Sequence, residues 1–376
     1  ILIMKLFSFL VFNLCFLFLN NAFALDITNT VKSTVNNNLK IKIALEQIRE
    51  SEELIVSAYG NYKPDITLNL TEKQSSTETK TSTTTTTTNK LADTYSLSVT
   101  QNLYDGGNKN LNLEKSKILF KKQIEDFNIT INDLILSAIN GYLSVQLYEK
   151  SLELTKKNYD IVKKIYDDTL NKRNLGVATL SELKNAESSF ENAKSNLIIA
   201  EGNLKIGKKI FSQIVGLEAN NLEDLVNIDD LNSFEEIFNY SLMNNHELIK
   251  LKYDLEISKL ELDIQKNGKL PSLDLTGDIS YNDNVSAKGT ESTSGSISAT
   301  LSIPIYQKGI NNSNIRKYQS KLIQSEFIVD DKINDLSLEI STLLNNYNNI
   351  ISKNKSANTQ IEANKISLSI IQKEYQ

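Results

Sequence analysis

The chain has 376 residues, 40% of them hydrophobic, enough for two ordinary domains with a core. A formal charge of -5 gives no excess of basic side chains, so nucleic acid is not an expected partner. Three Pro, no Trp and one His, beside abundant Asn, Ser, Thr and Lys, suit long helices with polar outer faces.

Residues 1–24 read as an export signal. Met4 is a plausible start, Lys5 supplies the positive segment, residues 6–19 are apolar, and Ala22-Phe23-Ala24 is a small-x-small cleavage site. The apolar run is short for a membrane span of about 20 residues. Cys15 lies inside this segment, and Leu14 before it is a poor lipoprotein signal, so a mature chain starting at Leu25 has no cysteine. Export without disulfides points to a Gram-negative cell envelope.

Residues 31–59 read as one amphipathic helix, stopped by Gly60 and Pro64. Strand alternation follows at 66–74, with Ile66, Leu68 and Leu70 on one face and Thr67, Asn69 and Thr71 on the other. Residues 75–89 are too polar to pack and are expected to form a long exposed loop. A second strand spans 94–104, with Tyr95, Leu97 and Val99 facing away from Ser96, Ser98 and Thr100, and Asp105-Gly106-Gly107 ends it. A helix is predicted over 108–172, roughly 95 Å long at 1.5 Å per residue, longer than a globular domain of this size needs.

The chain then reverses at Asn174-Leu175-Gly176-Val177-Ala178-Thr179 and returns as a helix over 179–216. Thr179 and Glu182 have the spacing of a capping box at its start. Its seam alternates large and small residues: Leu183, Phe190, Leu197 and Leu204 beside Ala186, Ala193, Ala200 and Gly207. This is a coiled-coil seam whose small line lets a neighbouring helix approach closely. An acidic connector follows over 218–236.

The pattern then repeats. Pro271 follows Pro64 by 207 positions, and Asn244-Asn245 follows Asn37-Asn38 by the same interval. Tyr306 follows Tyr104 by 202, as Ile333-Asn334-Asp335-Leu336 follows Ile131-Asn132-Asp133-Leu134. The change of interval falls across the strand-to-strand loop, where duplicated units tolerate a change in length. The first repeat thus covers 25–217. The second covers 237–376, with strands at 272–281 and 295–306 and a long helix at 309–376. Its own turn would fall near position 378, so the sequence reads as C-terminally truncated.

Four strands with one apolar and one polar face suit a barrel with lipid outside and water inside. Four cannot close such a barrel, and open edges are not tolerated in lipid, so several chains must share one; three copies would supply twelve strands. The expected fold is therefore mainly α, a long helical coiled-coil part with four strands per chain given to a shared β-barrel.

These residues resemble the TolC-like outer-membrane efflux proteins over 31–376. The resemblance is carried by the turn from Asn174 to Thr179 and on to Asn185-Ala186-Glu187, by Tyr62-Lys63-Pro64 and Lys269-Leu270-Pro271, and by the Tyr-x-x-Gly endings at Tyr104 and Tyr306. Asn102 stands where the family usually has Pro, which Pro304 keeps in the second repeat. The resemblance implies a homotrimer in outer-membrane lipid, with a twelve-stranded barrel continued by a helical tunnel across the periplasm. It also implies a periplasmic adaptor and an inner-membrane pump of RND, ABC or MFS type, in efflux or type I secretion. Leu175, Gly176, Val177, Ala178 and Thr179 would be the adaptor-docking tip, although Gly176 also reads as a plain helix end. Glu182 would be either a latch of the closed tip or only the capping partner of Thr179.

His246 has no second His or mature Cys to share a metal, and Asp274 and Asp278 on the lumen face are ordinary solvated residues or tuners of ion preference. No phosphate loop, nucleophile with a base, or metal-ligand spacing is present, so neither enzyme chemistry nor a cofactor is expected. The competing reading, an exported coiled-coil filament of flagellin type, needs neither a cleavable signal nor strands of lipid-facing pattern.

Overall fold

A computed structural model of the chain describes residues 25–223, 231–285 and 289–374. The expected export signal at 1–24 and part of the connector, 224–230, lie outside them. The described residues form two compact units, one of 25–44 with 128–223 and one of 45–127 with 231–285 and 289–374.

The described elements are α1 (Ile27–Asn37), α2 (Leu39–Gly60), β1 (Asp65–Lys80), β2 (Thr85–Tyr104), α3 (Asn108–Asn174), α4 (Leu180–Val215), α5 (Phe234–Asn244), α6 (His246–Asn267), β3 (Ser272–Asp283), β4 (Glu291–Ser302) and α7 (Ile310–Glu374). The molecule is mainly helical, with four antiparallel strands in the order β1-β2-β3-β4.

Three elements differ from the sequence reading. The single helix expected over 31–59 is two helices, because Asn38 leaves helical geometry at ψ 130. Its side chain holds the break: Oδ1 accepts from Lys40 N (2.9 Å) while Nδ2 donates to the Ile214 carbonyl (2.9 Å). The repeat carries the same device 207 positions later, where Asn245 (ψ 112) separates α5 from α6 and caps α6 through Leu248 N.

The loop expected over 75–89 is instead a hairpin. β1 and β2 pair without interruption from Asp65↔Thr100 to Lys80↔Thr85, with only 81–84 left as the turn. Threonine is β-branched and favours extended backbone whether or not it is buried, so polarity alone did not report its conformation. β4, expected over 295–306, runs from Glu291 to Ser302, since Pro304 has no N–H to donate to a ladder. Smaller shifts place the α5 start at Phe234, inside the expected connector, and extend β3 to Asp283.

In the first unit, Tyr142, Phe211, Val145 and Val215 are fully buried beside Ala138 and Ala219. Tyr142 Oη lies 2.9 Å from the Leu25 carbonyl and 2.7 Å from that of Glu223. It thereby ties the start of α1 and the exit of α4, themselves joined by the Leu25–Leu222 bridge, to the wall of α3. Along α3 and α4 the large and small lines interdigitate. Ala193, Ala200 and Gly207 are buried, and a Cβ on Gly207 would come within 2.6 Å of the Tyr148 ring. Phe190 sits between Tyr159 (5.6 Å) and Tyr166 (5.3 Å, nearly parallel).

In the second unit, α6 packs on the first part of α3 through Ile257, Leu260 and Ile118, and on α7 through Leu248, Val329 and Leu336. Ion pairs Lys115–Glu261, Lys122–Asp254 and Asp126–Lys250, at 2.6 to 2.7 Å, run along the α3–α6 seam. Each is half-exposed and contributes little energy by itself, but together they favour one register of the two helices.

Candidate functional site

Two places carry the arrangements from which a function follows: the α3–α4 turn and the four-stranded sheet.

At the turn, α3 closes by a left-handed glycine end. Gly176 has φ 79, the Val177 N–H reaches the Lys172 carbonyl (2.9 Å), and the Gly176 N–H reaches that of Arg173 (3.0 Å). Arg173 Nη1 also donates to the Ala178 carbonyl (3.2 Å), a clamp that the sequence reading missed. A basic residue in the last turn of a helix was the available signal.

Leu175 is 79% exposed and Val177 76%, large apolar side chains standing in water. Thr179 is exposed, whereas Ala178 is buried under the turn, so of the five tip residues it is the one that cannot present its side chain outward. A groove of about 700 Å³ runs from the turn between the two helices, lined by Val162, Ile165, Val177, Glu182, Ala186 and neighbours.

Thr179 and Glu182 form a complete capping box. Glu182 N donates to Thr179 Oγ1 (3.2 Å), and Glu182 Oε2 accepts from both Thr179 N (2.6 Å) and Thr179 Oγ1 (2.9 Å). The Thr179 backbone N–H, then its hydroxyl, hold the Glu182 carboxyl below its ordinary value of 4.5, with Lys172 adding a weaker pull in the same direction. The folded form is thus favoured by the ionised carboxylate. This contribution is fully present above pH 4.5 and is lost as pH falls through the lowered folded value.

Protection of the Leu183 amide, which donates to Thr179 O, should therefore fall as pH is lowered through that value. In Thr179→Ala it should be low throughout, for a loss of about 1 kcal/mol of capping. Unchanged protection factors in hydrogen exchange would show that the box does not hold the helix end.

The sheet has two chemically opposite faces. Register places Ile66, Val99, Gly277 and Ile297 in one row, Leu68, Leu97 and Ile279 in the next, and Leu70, Tyr95 and Tyr281 beyond. The Tyr95 and Tyr281 rings are stacked, with centroids 6.1 Å apart. Most of this apolar face is exposed: Leu68 is 63% and Ile279 61% accessible. The other face carries Asn69, Ser96, Ser98, Thr276, Asp278 and Ser280.

Asp274, also on the polar face, accepts from Asn102 Nδ2 (2.8 Å), so Asn102 links β2 to β3 beside the bulge between Asn102 and Tyr104. His246 Nδ1 lies 2.7 Å from Glu125 Oε2, and no group of three metal-ligating side chains occurs among the described residues.

A sheet apolar on its exposed face and polar on the other, carried on paired long helices, defines the class: an outer-membrane channel with a helical part and a β-barrel part. The outer membrane efflux protein family matches residues 30–216 and 238–376, and the chain belongs to it. This is a family of channel proteins rather than enzymes, and its members are outer-membrane proteins.

Among curated relatives, the outer membrane protein TolC of Escherichia coli K12 is 22% identical over 287 residues, covering 70% of this chain and 57% of TolC. The outer membrane efflux protein BepC of Brucella suis is 21% identical over 315 residues, covering 81% and 66%. The chain thus spans less than two thirds of either relative. Of solved structures, CusC superposes with a TM-score of 0.68 at 16% identity, covering 92% of this chain and 79% of CusC. The Campylobacter jejuni channel CmeC does so with 0.66 at 16% identity, covering 82% and 68%. At these identities the likeness is one of fold.

Proposed function

We propose that three copies of this chain close a twelve-stranded barrel in the outer membrane and continue as a helical duct across the periplasm. The duct is the exit of a tripartite efflux or type I secretion system, passing substrates delivered by an inner-membrane pump of RND, ABC or MFS type through a periplasmic adaptor. The observation that carries this reading is the sheet. Its exposed apolar face suits lipid, and its outer strands, each paired on one side only among the described residues, require partners there. Selectivity then belongs to the pump, which decides what a wide duct is given to pass.

The exposed Leu175 and Val177 beside the Gly176 turn, at the mouth of the α3–α4 groove, supply an apolar ledge on which an adaptor helix can seat. Glu182 keeps its capping role, and in this reading it serves in addition as a latch of the closed tip.

In outer-membrane fractions the full-length protein should migrate as a trimer when unboiled and as a monomer after boiling, and a photo-crosslinker at Val177 should capture the adaptor. A soluble polymer in the medium would support the filament reading instead. A trimer in which no tip position ever captured an adaptor would remove the docking assignment. Unchanged conductance and leakage in Glu182→Gln would remove the latch.

A further inference from the structure

We infer that the apolar face of the sheet carries a seat for a phospholipid with an ammonium headgroup, phosphatidylethanolamine. A groove at Gly277 and Gly295 takes an acyl chain, and a rung of four carboxylates takes the amine. The inference rests on the barrel reading above and adds to it a particular lipid at a particular place.

The groove comes from two glycines that the backbone does not need. Gly277 pairs with Ile297 and Gly295 with Ile279 in an unbroken ladder, and neither glycine has a positive φ. A Cβ on Gly277 would meet nothing within 4 Å, and one on Gly295 would come no nearer than 3.8 Å, to the Asp278 carbonyl oxygen. A β-branched residue would fit at either position and favour the strand, whereas glycine weakens it. What the two glycines leave is space, a shallow groove of about 600 Å³ walled by Leu97, Val99, Ile279 and Ile297. An empty gap forfeits dispersion contacts, and a lipid chain laid in it restores them.

The rungs beyond the groove fix which way the lipid lies. Leu97, Ile279 and Gly295 share one rung, Tyr95 and Tyr281 the next, and Glu72, Asp93, Asp283 and Glu291 the one after, all on the same face. The carboxylates thus stand roughly 13 Å along the strands from the Gly295 rung, on the side away from the helices. The stacked tyrosines between them have the place of an aromatic girdle at the edge of the hydrocarbon.

Like charges directly opposite one another destabilise a strand pair, and here they do so across all three. Among the described residues no ion pair reaches the rung: Lys73 and Lys90 alternate onto the other face, and Lys80 pairs with Glu78 farther out. A cationic headgroup supplies the missing charge, and an anionic one is repelled. A lipid whose amine lies at this rung lays its chain down through the groove.

The test uses the full-length chain assembled in outer membranes, then extracted and stripped of lipid by detergent exchange, with unboiled migration reporting the trimer. In native mass spectrometry, added dioleoyl phosphatidylethanolamine should stay bound at least about tenfold better than phosphatidylglycerol with the same chains, the worth of a few exposed charge contacts. Gly277→Val with Gly295→Val fills the groove with side chains that suit a strand and should lose both lipids. If that variant does not assemble, Gly277→Ala with Gly295→Ala, a smaller filling, should weaken both. Glu72→Gln, Asp93→Asn, Asp283→Asn and Glu291→Gln together should keep the chain seated but hold the two lipids alike. Undiminished retention by a filled groove would overturn the seat, and equal retention of the two lipids by the unsubstituted trimer would overturn the headgroup. Displacement of phosphatidylethanolamine by an equal concentration of lipopolysaccharide would give the seat to that lipid and overturn the proposed occupant. If the unsubstituted chain never migrates as a trimer, the barrel reading itself falls.

Discussion

Tyr142→Ala is expected to destabilise the first unit by about 3–5 kcal/mol, the range for removing a large aromatic ring from a closed core. The ring is fully buried against Phe211, with centroids 6.4 Å apart, and its hydroxyl meets the carbonyls of Leu25 and Glu223. Truncation leaves a cavity and removes the one O–H that the two carbonyls share, with Leu25 O still accepting from Glu223 N and Glu223 O from Gln146 Nε2. Tyr142→Phe separates the effects: it keeps the ring and should cost only about 1–2 kcal/mol, the worth of the one lost donor. Denaturant unfolding followed by circular dichroism reads both. Equal losses in the two variants would mean that the ring contributes nothing beyond its hydroxyl, contrary to the packing.

The second large effect is expected on the sheet. Leu97 stands between Leu68 and Ile279 in the centre of the apolar face, and Leu97→Arg should cost about 2–4 kcal/mol if that face meets the hydrocarbon midplane. Ser98→Arg, one residue on, turns its side chain to the polar face and should cost far less. Folding into lipid vesicles over a urea series measures the difference. Similar costs for the two would mean that the faces are wrongly assigned, since no aqueous reading of Leu97 produces such an asymmetry.

Much of this architecture could be read from the sequence because periodicity is set by local geometry. A period of two in Ile66, Leu68 and Leu70 and a seam of threes and fours from Leu183 to Gly207 each admit one regular structure. What could not be read depended on hydrogen bonds without an apolar signature. Thr77↔Thr88 and Thr79↔Thr86 pair across a ladder that buries nothing, so a reading based on burial saw a loop. Asn38 breaks a helix through partners 2 and 176 residues away, the second of which is invisible to any local window.

At the turn, sequence located Gly176 and the Thr179–Glu182 box because cap spacing is local. Which side chains stand outward was not given by spacing. Ala178 goes inward because the chain folds over it to bring its carbonyl to Arg173.

The threonine-rich hairpin has one more consequence. β1 and β2 continue for eight residue pairs past Asp93↔Asp283, the last rung shared with β3, from Lys73↔Ala92 to Lys80↔Thr85. At about 3.3 Å per residue that is roughly 25 Å of ladder rising above its neighbour along the strands. In the proposed barrel, an antibody approaching from the medium would touch the threonine crest before it reached the shared rungs of β2 and β3. Changes of sequence along that crest would therefore alter what the cell surface displays while leaving the lipid-facing rows beneath it untouched.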